Sequence, residues 1–171
     1  MKETARVITT FKCVRNCSYC VNKNKEVINQ AKRIRCITTL KGYEEILITG
    51  GEPTLFPVDV GNLAVQLRRQ NPLVKLYLYT TRCDKKLSDI LEEFDGATYT
   101  LRSDANADDL FSFFDAQRVF SNFSDCSFRL SVDPDIDFAI PIVPSVWSMV
   151  KIKVWKEKCY IPSNEDLYIL E

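Results

Sequence analysis

The stretch "EEILITGGEPT", residues 44–54, indicates the fold of this chain. Its first part is a short apolar run rich in β-branched residues, which predicts a buried strand that ends at Gly50 and Gly51. After the glycines, Val60, Leu63, Ala64 and Leu67 recur at the spacing of a helix. A strand followed by a tight turn and a helix is the unit from which parallel sheets are built.

The same alternation of strand and helix continues in both directions along the chain. Further strands are predicted at "ARVITTF", "VKLYLYT", "ATYTL", "SFRLSV" and "VKIKVW". Helical stripes separate them, one of them beginning near Asn106. Each β/α unit takes roughly 30 residues, so 171 residues hold five or six. We therefore expect an α/β fold of mostly parallel strands, a partial (β/α)5-6 barrel forming a single domain over residues 1–171.

Composition limits the possible partners. Lys+Arg and Asp+Glu both number 23, so no overall field favours nucleic acid or an anionic membrane. No apolar run approaches the roughly 20 residues of a membrane span. We therefore expect a cytoplasmic protein. The absence of histidine removes the commonest general base and the commonest non-thiolate metal ligand.

Three of the seven cysteines are close together in "TTFKCVRNCSYCVNK", residues 9–23. Cys13, Cys17 and Cys20 have the spacing C-x3-C-x2-C, and the loop that carries them spans residues 12–23. Thiolates in a reducing compartment bind zinc or iron–sulfur clusters, and both remain open at this point. The remaining four cysteines are scattered singly and are expected to be small buried hydrophobes: Cys36, Cys83, Cys126 and Cys159.

The turn at residues 49–54, "TGGEPT", follows a strand just as the cysteine loop does. Because the C-terminal ends of parallel strands lie at one edge of the sheet, both segments are expected there. Two glycines allow the backbone to approach a ligand closely. Glu52 adds a carboxylate that could hold an ammonium group.

Together "CVRNCSYC" and "TGGEP" resemble the two motifs of the radical S-adenosylmethionine (radical SAM) superfamily, in the order and on the elements that this family uses. The resemblance covers the first two predicted strands; beyond about residue 75 only the β/α rhythm extends it. It implies a radical SAM core fold and a [4Fe-4S] cluster ligated by Cys13, Cys17 and Cys20. The fourth iron would chelate the amino and carboxylate groups of S-adenosyl-L-methionine (SAM).

The resemblance also implies roles for other residues. Tyr19 would lie against the adenine, or else merely pack on the barrel, and Gly50, Gly51 and Glu52 would hold the methionine ammonium. The family's Thr-Asn-Gly near the ribose is replaced here by Thr80-Thr81-Arg82, and Thr81 is the residue expected to contact the ribose. Further candidates follow later strands.

These further candidates are two serines, an aspartate, a cysteine and a group of phenylalanines. Ser103 and Ser131, the latter with Asp133, could contact ribose or substrate, or serve as turn and N-cap residues. Cys83 is a candidate catalytic residue that could act on a radical intermediate. A run of phenylalanines is expected to be helix core, whereas exposure would suggest a partner surface: Phe111, Phe113, Phe114, Phe120 and Phe123.

Three functions remain open from the sequence. The chain could be an enzyme that acts on a small molecule, with an electron donor such as flavodoxin or ferredoxin. It could be an activase that installs a glycyl radical on a larger protein, although such enzymes often depart from Glu in the GGE turn. It could also be a zinc or iron–sulfur module without activity, but such a module needs no ammonium-binding carboxylate.

Overall fold

A computed structural model describes residues 3–83, 86–136, 139–155 and 160–171. Its centre is one open sheet in which all strand pairs are parallel, in the order β2-β8-β1-β3-β4-β5-β6-β7. The strands are β1 (Thr4–Ile8), β2 (Lys32–Ile34), β3 (Glu45–Thr49), β4 (Lys75–Thr80), β5 (Gly96–Leu101), β6 (Ser127–Val132), β7 (Met149–Ile152) and β8 (Glu165–Leu170).

Four α-helices connect the strands within the described residues: α1 (Lys25–Gln30), α2 (Pro57–Gln70), α3 (Leu87–Leu91) and α4 (Ala107–Phe120). The start of α4 follows directly from the sequence. Asn106 accepts a hydrogen bond from the Asp109 amide, and the Asp109 side chain accepts one from the Asn106 amide. This reciprocal capping satisfies two amides that the first turn would otherwise leave unpaired.

The two faces of the sheet differ in chemistry. On one face, alternate strand residues such as Ile48, Leu78 and Leu130 are buried in a single apolar core together with Leu63 of α2 and Phe113 of α4. The other face carries polar and aromatic side chains and lines a cavity. Alternate side chains of a strand point to opposite faces of the sheet. The alternation of apolar and polar residues along the strands therefore directs the apolar side chains to the core and the polar ones to the cavity.

Asp95 joins the sheet to α2. Its carboxylate accepts hydrogen bonds from the Leu76 amide at 2.7 Å, from Arg68 at 2.7 Å and from Lys75 at 3.2 Å. Burial would raise the pKa of this carboxyl, but the Leu76 amide and the two cations outweigh it, so the pKa lies below its ordinary value. Asp95 is therefore expected to be ionised in the folded protein.

Gln117 anchors the irregular segment that leads into β7. Its side-chain oxygen accepts hydrogen bonds from the Val143 amide at 2.7 Å and from the Trp147 indole at 3.0 Å. Its side-chain nitrogen donates to the Pro141 carbonyl at 3.0 Å. This single side chain on α4 thereby fixes a proline-rich stretch in which the sequence shows no periodicity.

The α/β class and the parallel arrangement predicted from the sequence are confirmed, and all six predicted strands are present. Within the described residues the sheet nevertheless has eight strands rather than five or six. The three-residue β2 is too short to show alternation. The last strand, β8, lies between β1 and β2 instead of extending the series after β7, and nothing in its own sequence indicates that position.

Two expectations about side-chain burial were wrong. Phe113 and Phe120 are core residues, but Phe111 is 68% and Phe114 41% exposed, because they lie on other faces of α4. Among the single cysteines, Cys83 is buried and Cys126 half-buried, whereas Cys36 is exposed. Cys159 lies outside the described residues.

Candidate functional site

Backbone hydrogen bonds hold the cysteine loop against the turn that contains Gly50 and Gly51. β1 and β3 pair in parallel up to Ile8 and Thr49. Beyond that point the Gly51 amide donates to the Thr10 carbonyl at 2.6 Å and the Glu52 amide to the Lys12 carbonyl at 2.8 Å. The pairing of the strands thus continues into both loops and places the two motifs side by side.

The two glycines are required by this contact. A Cβ atom at Gly50, where φ is +150°, would lie 2.4 Å from the Thr10 carbonyl oxygen. At Gly51 a Cβ would lie 2.1 Å from the Lys12 carbonyl oxygen. Both neighbours are backbone atoms, so neither can move aside without moving the loop. Close approach of two backbones is therefore a structural reason for the glycine pair.

Glu52 is buried, with 1% of its surface exposed, and its carboxylate meets five donors. One oxygen accepts from the Thr54 amide and hydroxyl and from the Thr80 hydroxyl at 2.7–3.2 Å. The other accepts from the Thr81 amide at 2.9 Å and hydroxyl at 3.1 Å. The carboxylate ties the turn to the end of β4. The predicted contact with an ammonium group stays a prediction, and such a group would compete with these donors.

Arg15 secures the other side of the cysteine loop. Its guanidinium forms ion pairs with Asp104 at 2.7 Å and with Asp109, at the start of α4, at 2.5 Å. Burial alone would lower the pKa of Arg15, but the charges of Asp109 and Asp104 raise it above its ordinary value. The loop is therefore attached both to the turn after β3 and to the segment between β5 and α4.

A cavity of about 770 Å³ opens between the cysteine loop and the polar face of the sheet. This volume is within the range of about 300–1,000 Å³ typical of small-molecule sites. Predicted site residues that line the cavity are Cys13, Cys17, Tyr19, Cys20, Gly50, Gly51, Glu52, Thr81 and Ser131. The C-terminal ends of the strands therefore bring together residues that are far apart in sequence.

The three thiols share this cavity but do not form a preassembled site. Cys13 is exposed, and Cys17 and Cys20 are half-buried. Within residues 3–83, 86–136, 139–155 and 160–171, no group of three or more Cys, Asp or Glu side chains is arranged to hold a metal ion. Cluster binding would require these side chains to adjust.

The surroundings of Cys13 disfavour the thiolate form of its side chain. Burial raises the pKa of the Cys13 thiol, while a hydrogen bond from the Arg15 amide lowers it. The charges of Glu52, Cys17 and Cys20 raise it further, so that the pKa lies above its ordinary value. Neighbouring thiols whose thiolate forms would repel one another stay protonated until a bound cation offsets the negative charge and displaces their protons.

An aromatic wall closes one side of the cavity. The Arg102 guanidinium lies 5.0 Å from the Tyr19 ring centroid and 5.4 Å from that of Trp155. The Tyr19 hydroxyl, two Arg102 nitrogens and the Thr98 hydroxyl are buried, and none makes a hydrogen bond within the part of the chain that the structure describes. Burial raises the pKa of Tyr19 above its ordinary value despite the opposing effect of Arg102.

The unsatisfied atoms of this wall represent binding capacity that no residue in the described part of the chain uses. Arg102 was missed in the sequence, although its position directly after β5 is a detectable signal. Trp155 ends the predicted strand "VKIKVW", but strand order alone does not place it beside the loop after β1, which is five strands away in the sheet. Tyr160, Ile161 and Pro162 of the C-terminal segment also line the cavity.

Three residues considered for the site from the sequence do not line this cavity: Ser103, Cys83 and Asp133. Ser103 is exposed in the turn after β5. Cys83 lines a separate groove of about 670 Å³ together with Asp104, Asp108 and Phe111, and its amide donates to the Ser112 hydroxyl at 2.6 Å. Asp133 accepts from the Asp135 amide at 3.1 Å, which is the turn role considered for it.

No protein-family model and no curated protein matches this chain. The case for a family therefore rests on the two motifs and on the geometry of the site. Among the described helices, none combines the length and apolar character needed to cross a membrane.

Proposed function

We propose that this chain is a radical SAM enzyme whose [4Fe-4S] cluster is held by Cys13, Cys17 and Cys20. The observation that supports this proposal most is the shared cavity, which is lined by all three cysteines and by the Gly50-Gly51-Glu52 turn. The donor set fits such a cluster, since thiolates are the usual ligands of iron–sulfur centres. The cavity also has sufficient volume for a small cofactor and a substrate.

When bound and reduced, the cluster would supply the electron that cleaves SAM to methionine and a 5′-deoxyadenosyl radical, which abstracts a hydrogen atom from the substrate. The protein's own residues would bind and orient the cofactor and the substrate and would exclude water from the cavity. The glycine turn would place backbone groups near the methionine end of SAM, and Tyr19 would face its adenine. The unsatisfied Thr98 hydroxyl and Arg102 nitrogens provide polar contacts in the same cavity.

A small-molecule substrate is favoured by the path of the C-terminal segment. Residues 153, 155 and 160–162 line the cavity, and Trp155 lies beside Tyr19 with 6.4 Å between ring centroids. A segment in this position narrows the mouth that a macromolecular substrate would need. An electron donor such as flavodoxin or ferredoxin would approach from the side of the cysteine loop, where Phe11 and Val14 are about half exposed.

The test is cluster loading followed by addition of SAM. After anaerobic reconstitution with iron and sulfide, we expect about four irons per chain, and the paramagnetic resonance spectrum of the reduced cluster should change when SAM binds. Cys17→Ala should lose the cluster, whereas the control Cys36→Ala should keep it because Cys36 is exposed and outside the cavity. Zinc in place of iron, with no response to SAM, would favour the non-enzymatic metal module.

A further inference from the structure

The cavity is lined by an excess of positively charged side chains, although the net charge of the whole chain is zero. Among the described residues, its lining includes seven lysine and arginine side chains and two carboxylates, although Lys+Arg and Asp+Glu are equal in the whole chain. A concave site lined by one sign of charge attracts ligands of the opposite sign. The question is which of these cations are available to a ligand.

Three of the cations are already engaged within the protein. Arg6 forms two hydrogen bonds with Glu165 at 2.7 and 3.2 Å. Arg15 pairs with two aspartates, as described above. Lys23 donates to the side-chain oxygen of Asn16 at 2.7 Å and to its backbone oxygen at 3.1 Å. These side chains hold strands and the cysteine loop in place and are not the best candidates for ligand binding.

Arg129 and Lys151 are different. No ion pair involves either of them in the described parts of the chain. The Arg129 guanidinium lies 4.7 Å from the Tyr77 ring centroid, and its charge acts on the Glu45 carboxyl without forming an ion pair with it. Ser131 lies between them in the pairing of β6 and β7, since its Cα is the partner of Lys151. All three side chains line the cavity.

The spacing of this trio suits an anion. Arg129 and Ser131 are two residues apart on the same face of β6, which separates them by roughly 6.6 Å. Lys151 is beside Ser131 on the next strand, roughly 4.8 Å away. In this structure the Arg129 guanidinium rests against Tyr77 on β4, on the side of β6 away from Lys151. It must therefore turn back over β6 to share a group of oxygens with Ser131 and Lys151. Charge-assisted hydrogen bonds from a guanidinium and an ammonium are among the strongest in proteins and favour that movement once an anion is present.

We propose that Arg129, Ser131 and Lys151 bind an anionic group, a carboxylate or a phosphate, on the substrate. That the ligand is a substrate rests on the proposed radical SAM function. In the sheet order, β6 is four strands from β1, so this trio lies roughly 19 Å from the cysteine loop measured along the sheet. A substrate anchored there by its charged end can extend its remaining atoms across the cavity toward the cysteines.

The experiment titrates the isotope-labelled 171-residue chain with sodium phosphate and, separately, with sodium succinate. Ionic strength is held constant with sodium chloride, because screening alone changes surface electrostatics. Amide shifts on β6 and β7 report binding. In Arg129→Gln/Lys151→Gln, the dissociation constant of the tighter ion should rise about ten-fold or more, since two charge-assisted bonds are removed.

A matched control distinguishes specific binding at the trio from general electrostatic attraction to the protein surface. Arg69→Gln/Lys41→Gln removes the same charges from exposed positions outside the cavity and should leave both dissociation constants unchanged. If the double variant in the cavity does not fold, Arg129→Lys keeps the charge but loses the paired donors and should bind more weakly than wild type. Tighter binding of phosphate or of succinate identifies the preferred anion.

Two results would overturn the proposal: no shifts on β6 and β7 with either ion, or equal weakening in the two double variants. Its failure can be told apart from failure of the enzyme assignment. Formation of 5′-deoxyadenosine from SAM without ion binding at the trio would refute the anion site alone. Ion binding at the trio in a chain that takes up no iron–sulfur cluster would refute the enzyme assignment alone.

Discussion

Gly51→Ala tests how the cysteine loop is held. The new Cβ atom would lie 2.1 Å from the Lys12 carbonyl oxygen, and Cβ atoms in real proteins essentially never come closer than 3.0 Å to such a neighbour. The two backbones must therefore separate by about 0.9 Å. This movement stretches the hydrogen bonds that Gly51 and Glu52 donate to the loop, which are 2.6 and 2.8 Å long.

The expected cost follows from these contacts. Overpacking against a fixed backbone costs about 1–3 kcal/mol, and each weakened hydrogen bond about 1 kcal/mol. We expect the free energy of unfolding to fall by about 2–4 kcal/mol, or, if the loop moves away instead, iron retention after reconstitution to fall. Urea denaturation of the apoprotein measures the first quantity, and iron analysis after gel filtration measures the second.

Gly61→Ala is the matched control. Gly61 lies within α2, where a Cβ would meet only the Ile90 side chain at 3.3 Å. Replacing a helical glycine by alanine gains about 0.5–1 kcal/mol, so this variant should be as stable as wild type or more so, with normal iron content. The reasoning is refuted if Gly51→Ala stays within about 0.5 kcal/mol of wild type and also retains iron normally.

Three further predictions concern side chains. Arg15→Gln should release iron to a chelator about ten-fold faster than wild type, because the variant loses the ion pairs that support the cysteine loop. The control Arg118→Gln breaks an exposed ion pair on α4 and should release iron at the wild-type rate. Equal rates in the two variants would refute this role of Arg15. Glu52→Gln should lower the free energy of unfolding, measured by urea denaturation without SAM, by about 1–3 kcal/mol, because an amide nitrogen then faces hydrogen-bond donors. Unchanged stability would show that the carboxylate does not hold the turn against the end of β4. Asp95→Asn should be less stable than wild type at pH 7. Because the pKa of Asp95 is lowered in the folded protein, the difference in free energy of unfolding between variant and wild type should shrink as pH falls below about 4. A difference independent of pH would contradict the role of the Asp95 charge.

The sequence was sufficient to predict features that depend on local pattern. Alternation in "VKLYLYT" located β4, and the residues predicted to share one face, Val74, Leu76 and Leu78, are all buried. Asn106 followed by acidic residues predicted the start of α4. Since consecutive parallel strands end at the same edge, the shared position of the two motifs also followed from strand order.

Features that depend on tertiary contact could not be predicted in this way. The glycine pair was interpreted through a ligand, yet its contact with the Lys12 carbonyl gives a reason within the protein. The five donors around Glu52 come from two separate loops, a convergence that no spacing encodes. Trp155 follows β7, five strands from β1 in the sheet order, yet its ring centroid lies 6.4 Å from that of Tyr19 in the cysteine loop, a contact that strand order alone does not indicate.

The most direct measurement of the central claim is the yield of 5′-deoxyadenosine. Wild type and Cys36→Ala, reconstituted anaerobically with iron and sulfide and reduced in the presence of SAM, should both release 5′-deoxyadenosine and methionine. Cys17→Ala should release neither. A wild-type chain that carries its full complement of iron and sulfide but leaves SAM intact under reduction would contradict the account.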